Sequence, residues 1–208
     1  MNILYVCTYN EVRSAGAEVI TNVNANLMGI ELRVSSAGFK RGNGQTKPEM
    51  NRALFDTDIK YDKMKGTPEV LDPEILQAQD LIFCFTYHQK NALLNMKPGL
   101  EGKVFVVPEY FGEQCEIRDP DERVKSYGPL YYLLPGIIMN WIHSVNGTID
   151  CRDAGGVQQA YNETARQIEK YVKRIIEKMI SDGLLRRTNE KNVMPSPLEA
   201  IEAALARN

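Results

Sequence analysis

The sequence has little that points to a membrane protein or to a metal site. No apolar run reaches the roughly 18 residues that a bilayer-spanning helix requires. Met1 leads directly into an apolar stretch, without the charged and apolar regions of a signal peptide. The two histidines, His88 and His143, stand outside any ligand motif. We therefore expect a cytoplasmic protein that does not associate with membranes.

Paired cysteines and an excess of basic charge are also absent. The four cysteines lack the spacing of a zinc site or of a small disulfide scaffold, which fits a reducing compartment. Lys and Arg total 25 against 27 Asp and Glu, and the net charge of −2 argues against nucleic acid as a partner. A hydrophobic content of 43% over 208 residues is that of an ordinary globular chain with one sizeable core.

Strand-like and helix-like segments alternate along the chain. Apolar runs typical of strands are Ile3–Val6, Ile30–Val34, Leu81–Phe85 and Val104–Val107. Helical patterns cover Ala15–Met28, Pro48–Phe55, Pro73–Gln79, His88–Met96 and Asn162–Ile180. This alternation predicts an α/β fold: an open three-layer sandwich with a central parallel sheet of about four strands, flanked by helices.

Two regions exceed what such a domain needs. Residues 121–152 include the apolar run Leu130–Ile142, which must bury itself against the domain, a partner subunit or a ligand. Near the C-terminus, residues 196–199 (Ser-Pro-Leu-Glu) form a capping box that starts a short helix. We expect a domain over residues 1–183 with an apolar insertion at about 121–152, and a C-terminal extension over 184–208. Both added regions are candidate contacts in a homodimer.

The first predicted strand leads into the residues that an attack on a phosphate ester requires. Cys7 is the candidate nucleophile, and the planar guanidinium of Arg13 can bind two phosphate oxygens. Because a helix is predicted from Ala15, the loop ends at a helix N-terminus, whose field favours an anion and the thiolate form of Cys7. The candidate phosphate-binding residues are Thr8, Tyr9, Asn10, Glu11, Val12, Arg13 and Ser14.

This loop, followed by Ala17-Glu18, resembles the active-site loop of the low-molecular-weight protein tyrosine phosphatases. Further similar segments are Ser36-Ala37-Gly38, Asp80-Leu81-Ile82, Glu109 to Pro120, and Tyr161 to Ile180. The resemblance implies hydrolysis of phosphotyrosine, with phosphoarginine as the substrate in bacterial branches and arsenate reduction in relatives.

The resemblance also implies roles for individual residues. Cys7 attacks phosphorus and carries a phosphocysteine intermediate, while Arg13 and the loop amides stabilise the equatorial oxygens. Asp119 protonates the leaving oxygen and then takes a proton from the attacking water. The residues that brace the loop are Asn10, Ser14 and Ser36. The mechanism requires no metal or other cofactor, and its substrate is a phosphorylated protein or a small phosphate monoester.

The loop departs from the family pattern at three positions. Tyr9 replaces a glycine, and either projects outward as part of the pocket wall or distorts the loop. Val12 replaces a second cysteine, so Cys7 lacks the neighbour that would trap its oxidised form as a disulfide. Glu11 is unusual next to a dianion; it either points outward and favours substrates that carry positive charge or is simply solvated, and we expect the second.

Aromatic residues that flank a substrate ring are missing from their usual positions. After Ser36-Ala37-Gly38 only Phe39 can serve, and Asp121 follows Pro120 where the family has an aromatic residue. The insertion supplies candidate replacements, which are Tyr131, Tyr132 and Trp141.

Alternatives remain for the general acid and for the function. Asp153 lies in a segment that also resembles the stretch before the family's last helix, but we favour Asp119 because its register from Glu109 has no gap. The other functions are a phosphoserine or phosphoarginine phosphatase, an arsenate reductase, and a phosphate-binding module without catalysis. Arsenate reduction is disfavoured because Asn91 stands where a partner for Cys84 is usual, and we expect Cys84 in the core.

Overall fold

A four-stranded parallel sheet, with the strand order β2-β1-β3-β4, forms the centre of the fold. It is seen in a computed structural model that describes residues 1–57, 59–123 and 154–186. The strands are β1 (Asn2–Cys7), β2 (Arg33–Gly38), β3 (Leu81–Cys84) and β4 (Val104–Val106). The predicted α/β fold with about four parallel strands is confirmed.

Helices connect and cover the strands. They are α1 (Arg13–Leu27), α2 (Pro48–Phe55), α3 (Tyr87–Met96), α4 (Pro120–Arg123) and α5 (Ala154–Ser181), with 3-10 helices at Pro73–Ala78 and Pro108–Phe111. Local sequence signals account for the first residues of two of these helices. The hydroxyl of Thr86 caps α3 by accepting the N–H of Gln89 at 3.3 Å. Pro48 is the first residue of α2, a position whose N–H would have no acceptor within the helix, so proline loses no hydrogen bond there.

Alternate residues of β1 face two separate apolar cores, because successive side chains of a strand point to opposite faces. Ile3 and Tyr5 pack with residues of α1, α2 and α5, and Cys7 lies on this same side of the sheet. Leu4 and Val6 pack on the other side, with residues of α3 and the first 3-10 helix. The sheet is therefore the middle of three layers, as predicted.

The second strand and the last helix differ from the sequence prediction. The apolar run at Ile30 is not in a strand: Gly29, with φ of 63°, ends α1, and the buried Ile30 donates its N–H back to Ala25. The strand itself is the more polar Arg33–Gly38, at the edge of the sheet. The predicted helix over Asn162–Ile180 begins earlier, at Ala154.

Much of the predicted insertion and extension lies outside the described residues. The structure describes the insertion only through α4 and the extension only through Arg186, so the capping box at 196–199 is not covered. The domain boundaries and the homodimer contact stay predictions. Within the described ranges, no helix has the length and apolar character needed to cross a membrane.

Candidate active site

Cys7 is held at the carboxyl end of the central strand, where ligands bind in open α/β sheets. Its neighbours on β1 pair with β2 on one side and β3 on the other, and Cys7 itself is in register with Gly38. The chain then turns through residues 8–12 and enters α1 at Arg13. Val12 caps this helix without a side-chain hydrogen bond, which keeps the N–H groups of the first turn available to an anion.

A left-handed Asn10, with φ of 56°, shapes the loop around the sulfur. Its backbone N–H donates to Cys7 Sγ at 3.3 Å, and the Ser14 hydroxyl donates to the same sulfur at 3.0 Å. The Asn10 side-chain amide donates to Ser14 at 2.9 Å and to Ser36 at 2.8 Å. Two hydrogen-bond donors thus point at the sulfur, and Ser36 contacts Asn10 as the resemblance implies.

Arg13 lies beside this loop and is only 2% exposed. Its Nη1 donates to the carbonyl of Ile117 at 3.1 Å, and its Nη2 donates to Asp119 Oδ2 at 2.8 Å. Its Nε is buried and has no hydrogen-bond partner among the described residues. A buried donor of this kind needs an acceptor, and an oxygen of a bound phosphate is a suitable one.

Asp119 belongs to a loop that crosses from β4 toward α5. Its Oδ1 accepts the N–H of Asp121 at 3.1 Å. The Asp121 carboxylate in turn accepts the hydroxyl of Tyr161 and lies 3.4 Å from the ammonium of Lys47. The pKa of Tyr161 is raised far above its ordinary value, mainly by burial and secondly by the Asp121 carboxylate. Tyr161 therefore stays a neutral donor.

A cavity of about 280 Å³ opens at the nucleophile. Its lining residues are Cys7, Thr8, Tyr9, Glu11, Val12, Lys47, Asp119 and Asp121. A larger cavity of about 540 Å³ is lined by residues of α2 and α5, and no cysteine lines it. The chemistry of a thiol nucleophile therefore belongs to the smaller cavity.

Tyr9 adopts the loop conformation without distorting it. The residue with positive φ is its neighbour Asn10, and the Tyr9 side chain is 43% exposed beside the cavity. The close approach of backbones occurs at Gly38, where a Cβ atom would lie 2.6 Å from the carbonyl carbon of Tyr9. Glycine is thus required on β2, and Tyr9 projects outward as part of the pocket wall.

Glu11 is buried, so the prediction of a solvated side chain is wrong. It is 5% exposed, and its carboxylate accepts the N–H of Asn43, beside a glycine (Gly42) that leaves room for it. Its carbonyl accepts the N–H of Lys47 at 3.0 Å. Glu11 therefore ties the phosphate loop to residues 42–47. The glycine-rich turn at this segment was the available signal, since turns expose unpaired N–H groups.

The structure brings Cys7, Arg13 and Asp119 together, while Asp153 lies outside the described residues. Phe39 is not part of the cavity lining; it packs with the core on the other side of the sheet. Cys84 is fully buried, as predicted. Sequence reasoning missed two residues that contact acidic residues of this region: Tyr161, which donates to Asp121, and Lys65, which pairs with Glu18. Neither carries a motif. Within the described ranges, no group of three or more His, Cys, Asp or Glu could hold a metal ion.

Comparisons with known proteins point to the same chemistry. Residues 2–133 match the family model described as low molecular weight phosphotyrosine protein phosphatase. The protein-arginine-phosphatase of Bacillus subtilis (strain 168) is 31% identical over 122 residues, which make up 58% of this chain and 79% of that protein.

Solved structures share the fold. A low molecular weight protein tyrosine phosphatase from T. tengcongensis superposes with a TM-score of 0.64 at 24% identity, covering 86% of this chain and 99% of that chain. An arginine phosphatase from Geobacillus stearothermophilus gives a TM-score of 0.63 at 20% identity, covering 88% and 95%.

A thiol at the end of a central parallel strand, with a buried arginine at the start of the next helix, defines a cysteine-dependent phosphatase. The family match extends over more than half of the chain. The chain belongs to the low molecular weight phosphotyrosine protein phosphatase family.

Proposed function

We propose that the chain hydrolyses phosphorylated protein side chains through a phosphocysteine intermediate formed on Cys7. One observation carries the proposal: the buried sulfur accepts two hydrogen bonds within 3.3 Å, beside an arginine whose buried Nε has no partner in the part of the chain that the structure describes. That arrangement stabilises a thiolate and offers a directed donor to a phosphate oxygen.

Each step then has a residue to perform it. The Cys7 thiolate forms an S–P bond as the P–O bond (P–N in phosphoarginine) to the side chain breaks, and Asp119 gives its proton to the leaving oxygen or nitrogen. A water molecule then attacks phosphorus, Asp119 takes its proton, and the S–P bond breaks to release phosphate and the thiolate. Arg13 and the loop amides hold the equatorial oxygens in both steps. A reducing cytoplasm is the compartment that suits such a thiolate.

Phosphotyrosine is the first candidate substrate. Tyr9 stands at the cavity with nearly half of its side chain exposed, where its ring can stack against the ring of a bound phosphotyrosine. The family name supports the same substrate. An aromatic wall on one side and the phosphate loop below together suit a planar leaving group.

Phosphoarginine is the second candidate, favoured by the charge of the cavity. Three acidic residues, Glu11, Asp119 and Asp121, line it together with Lys47; the Glu11 carboxylate is turned to the N–H of Asn43, so Asp119 and Asp121 are the two that can meet a substrate. A guanidinium group brings positive charge and N–H donors that carboxylates accept. The relative from Bacillus subtilis is named for this activity.

Hydrolysis of two peptides of identical flanking sequence, one with phosphotyrosine and one with phosphoarginine, tests the function and separates the substrates. We expect turnover of at least one peptide by the wild type and none by Cys7→Ser. A higher kcat/KM for the phosphoarginine peptide, lowered in Asp121→Asn, would assign that substrate. No turnover of either peptide, with phosphate still raising the Tm, would leave a phosphate-binding module without catalysis.

Cys84 gives arsenate reduction no support. Cys84 lies in the core on the opposite side of the sheet from Cys7. Burial raises the pKa of its thiol to about 12, which keeps Cys84 protonated at neutral pH. A protonated, fully enclosed thiol cannot relay electrons from Cys7.

A further inference from the structure

A chain of hydrogen bonds leads from the nucleophile to a lysine on the protein surface. Cys7 accepts from Ser14, Ser14 accepts from Asn10, and Asn10 also donates to Ser36. The Ser36 hydroxyl donates to Glu18 Oε2 at 2.6 Å, and the ammonium of Lys65 lies 3.0 Å from Glu18 Oε1. Each of these contacts is made by a side chain.

Donor counting fixes the direction of every bond in this chain. The Asn10 amide has two N–H donors, and they go to Ser14 and Ser36. Its oxygen accepts the backbone N–H of Glu69 at 2.8 Å, which prevents the amide from flipping. Ser36 must therefore give its own proton elsewhere, and Glu18 is its acceptor. Ser14 likewise keeps one proton, which it directs to the sulfur at 3.0 Å; the carbonyl of Ala37, at 3.3 Å, is the more distant acceptor.

Glu18 accepts this proton with one carboxylate oxygen and faces Lys65 with the other. It lies on α1 and is only 7% exposed, so its charge has lost most of its hydration. Lys65 supplies the compensating charge, and it also contacts Glu69 at 3.2 Å. The same lysine therefore holds both ends of the Asn10 side chain: the Ser36 end through Glu18, and the amide oxygen through the Glu69 segment.

We propose that Lys65 is a positioning residue for Cys7, acting through Glu18, Ser36 and Asn10, and this rests on the proposed thiolate chemistry. Without the ammonium, Glu18 becomes an uncompensated negative charge behind the phosphate loop. Such a charge opposes both the thiolate and a phosphate dianion in the loop.

Lys63 provides a matched control. It lies in the same segment, carries the same charge and lines the same small cavity of about 250 Å³ behind the loop, together with Asp62 and Glu18. No ion pair of Lys63 is found among the described residues. A long-range effect of positive charge would be lost in Lys63→Met and in Lys65→Met alike, whereas a specific effect would be lost only in the second.

The test measures the rate of Cys7 alkylation by iodoacetamide at pH 6, alongside kcat for p-nitrophenyl phosphate. We expect Lys65→Met to slow both by about 5- to 20-fold, as for loss of a partner to a buried charge. Lys65→Arg and Lys63→Met should stay within about twofold of the wild type, because the first keeps the ion pair and the second never made one. The double variant Glu18→Gln/Lys65→Met should recover most of the loss, since the uncompensated charge is gone.

Equal effects of Lys63→Met and Lys65→Met would overturn the proposal, as would a double variant no faster than Lys65→Met. Alkylation of the buried Cys84 reports unfolding, and Lys65→Gln replaces Lys65→Met if the latter unfolds. Alkylation does not require catalysis. If no form of the protein turns over phosphate esters, the proposed function fails while the alkylation rates still decide the role of Lys65.

Discussion

The ion pair between Arg13 and Asp119 joins two residues with different tasks in catalysis. With Nη2 and Oδ2 2.8 Å apart, Asp119 neutralises the guanidinium until a phosphate replaces it. We expect a bound phosphate dianion to compete with Asp119 for Arg13, which would couple substrate binding to the position of the proposed acid through one contact.

Removing the acid tests this coupling. We expect Asp119→Asn to lower kcat for phenyl phosphate, a poor leaving group, by about 10²- to 10³-fold, because the leaving oxygen receives no proton. The loss for p-nitrophenyl phosphate should be much smaller, since that leaving group needs little help. Steady-state kinetics of both esters provides the measurement. Asp153→Asn is the control; near-normal turnover by Asp119→Asn with a loss in Asp153→Asn would identify Asp153 as the acid.

Among the elements, α5 holds the segment that carries the acid. The guanidinium of Arg174 lies 4.1 Å from the ring centroid of Phe111 and pairs with Glu113 at 2.7 Å. The hydroxyl of Tyr171 donates to the same carboxylate at 2.6 Å. The hydrogen bonds from Tyr171 and Arg174 lower the pKa of Glu113, so this contact holds across neutral pH. The last helix therefore positions the loop that ends at Asp119.

Loosening that attachment should affect catalysis more than stability. We expect Arg174→Met to lower kcat by about 3- to 10-fold, because the acid occupies its working position less often. The stacking contact it loses is worth about 0.5–1 kcal/mol at an exposed site. Lys173→Met is the control, since among the described residues Lys173 forms an ion pair only within the helix, with Glu169. Steady-state kinetics gives kcat, and thermal melts give the change in stability. An unchanged kcat in Arg174→Met would show that the loop keeps its position without this contact.

Elements whose signals are local were predictable from the sequence, and those that depend on distant partners were not. The strand before Cys7 and the helix from Arg13 follow from an apolar run and a helical pattern. Ile30 was assigned to a strand because its burial under a helix end looks the same in sequence as burial in a sheet. Within the site, Cys7 and Arg13 could be found because their spacing stands between a predicted strand and a predicted helix, with Ser14 directly after it. The burial of Glu11 depends on the turn at Asn43, which is 32 residues away in the sequence.

Across the described part of the molecule, the sheet separates Cys7 from Cys84. Cys7 faces one core and Cys84 the other, while Cys115 is exposed, 3.7 Å from the hydroxyl of Tyr171 on α5. Val12 occupies the loop position at which the family pattern has a second cysteine, and its side chain is 5% exposed. Within the described part of the chain, therefore, no second thiol is poised to capture an oxidised Cys7.

Peroxide should consequently inactivate the enzyme with poor recovery. A sulfenic acid on Cys7 that meets no thiol proceeds to the sulfinic acid, which thiol reagents do not reverse. We expect the activity recovered by dithiothreitol to fall steadily with exposure time, and Val12→Cys to protect it. Cys151→Ser removes the remaining cysteine as a control. Full recovery in the wild type after prolonged exposure would contradict the expectation.

The contacts that complete the site join parts of the chain far apart in sequence. Arg13 reaches Asp119 across 106 positions, and Glu69 reaches Asn10 across 59. Closing such long loops is slow compared with forming helices. Catalytic competence should therefore be among the last properties to arise as the chain folds, after the helices and much of the sheet have formed. A partly folded chain would expose the thiol of Cys7 without the groups that make it a catalyst.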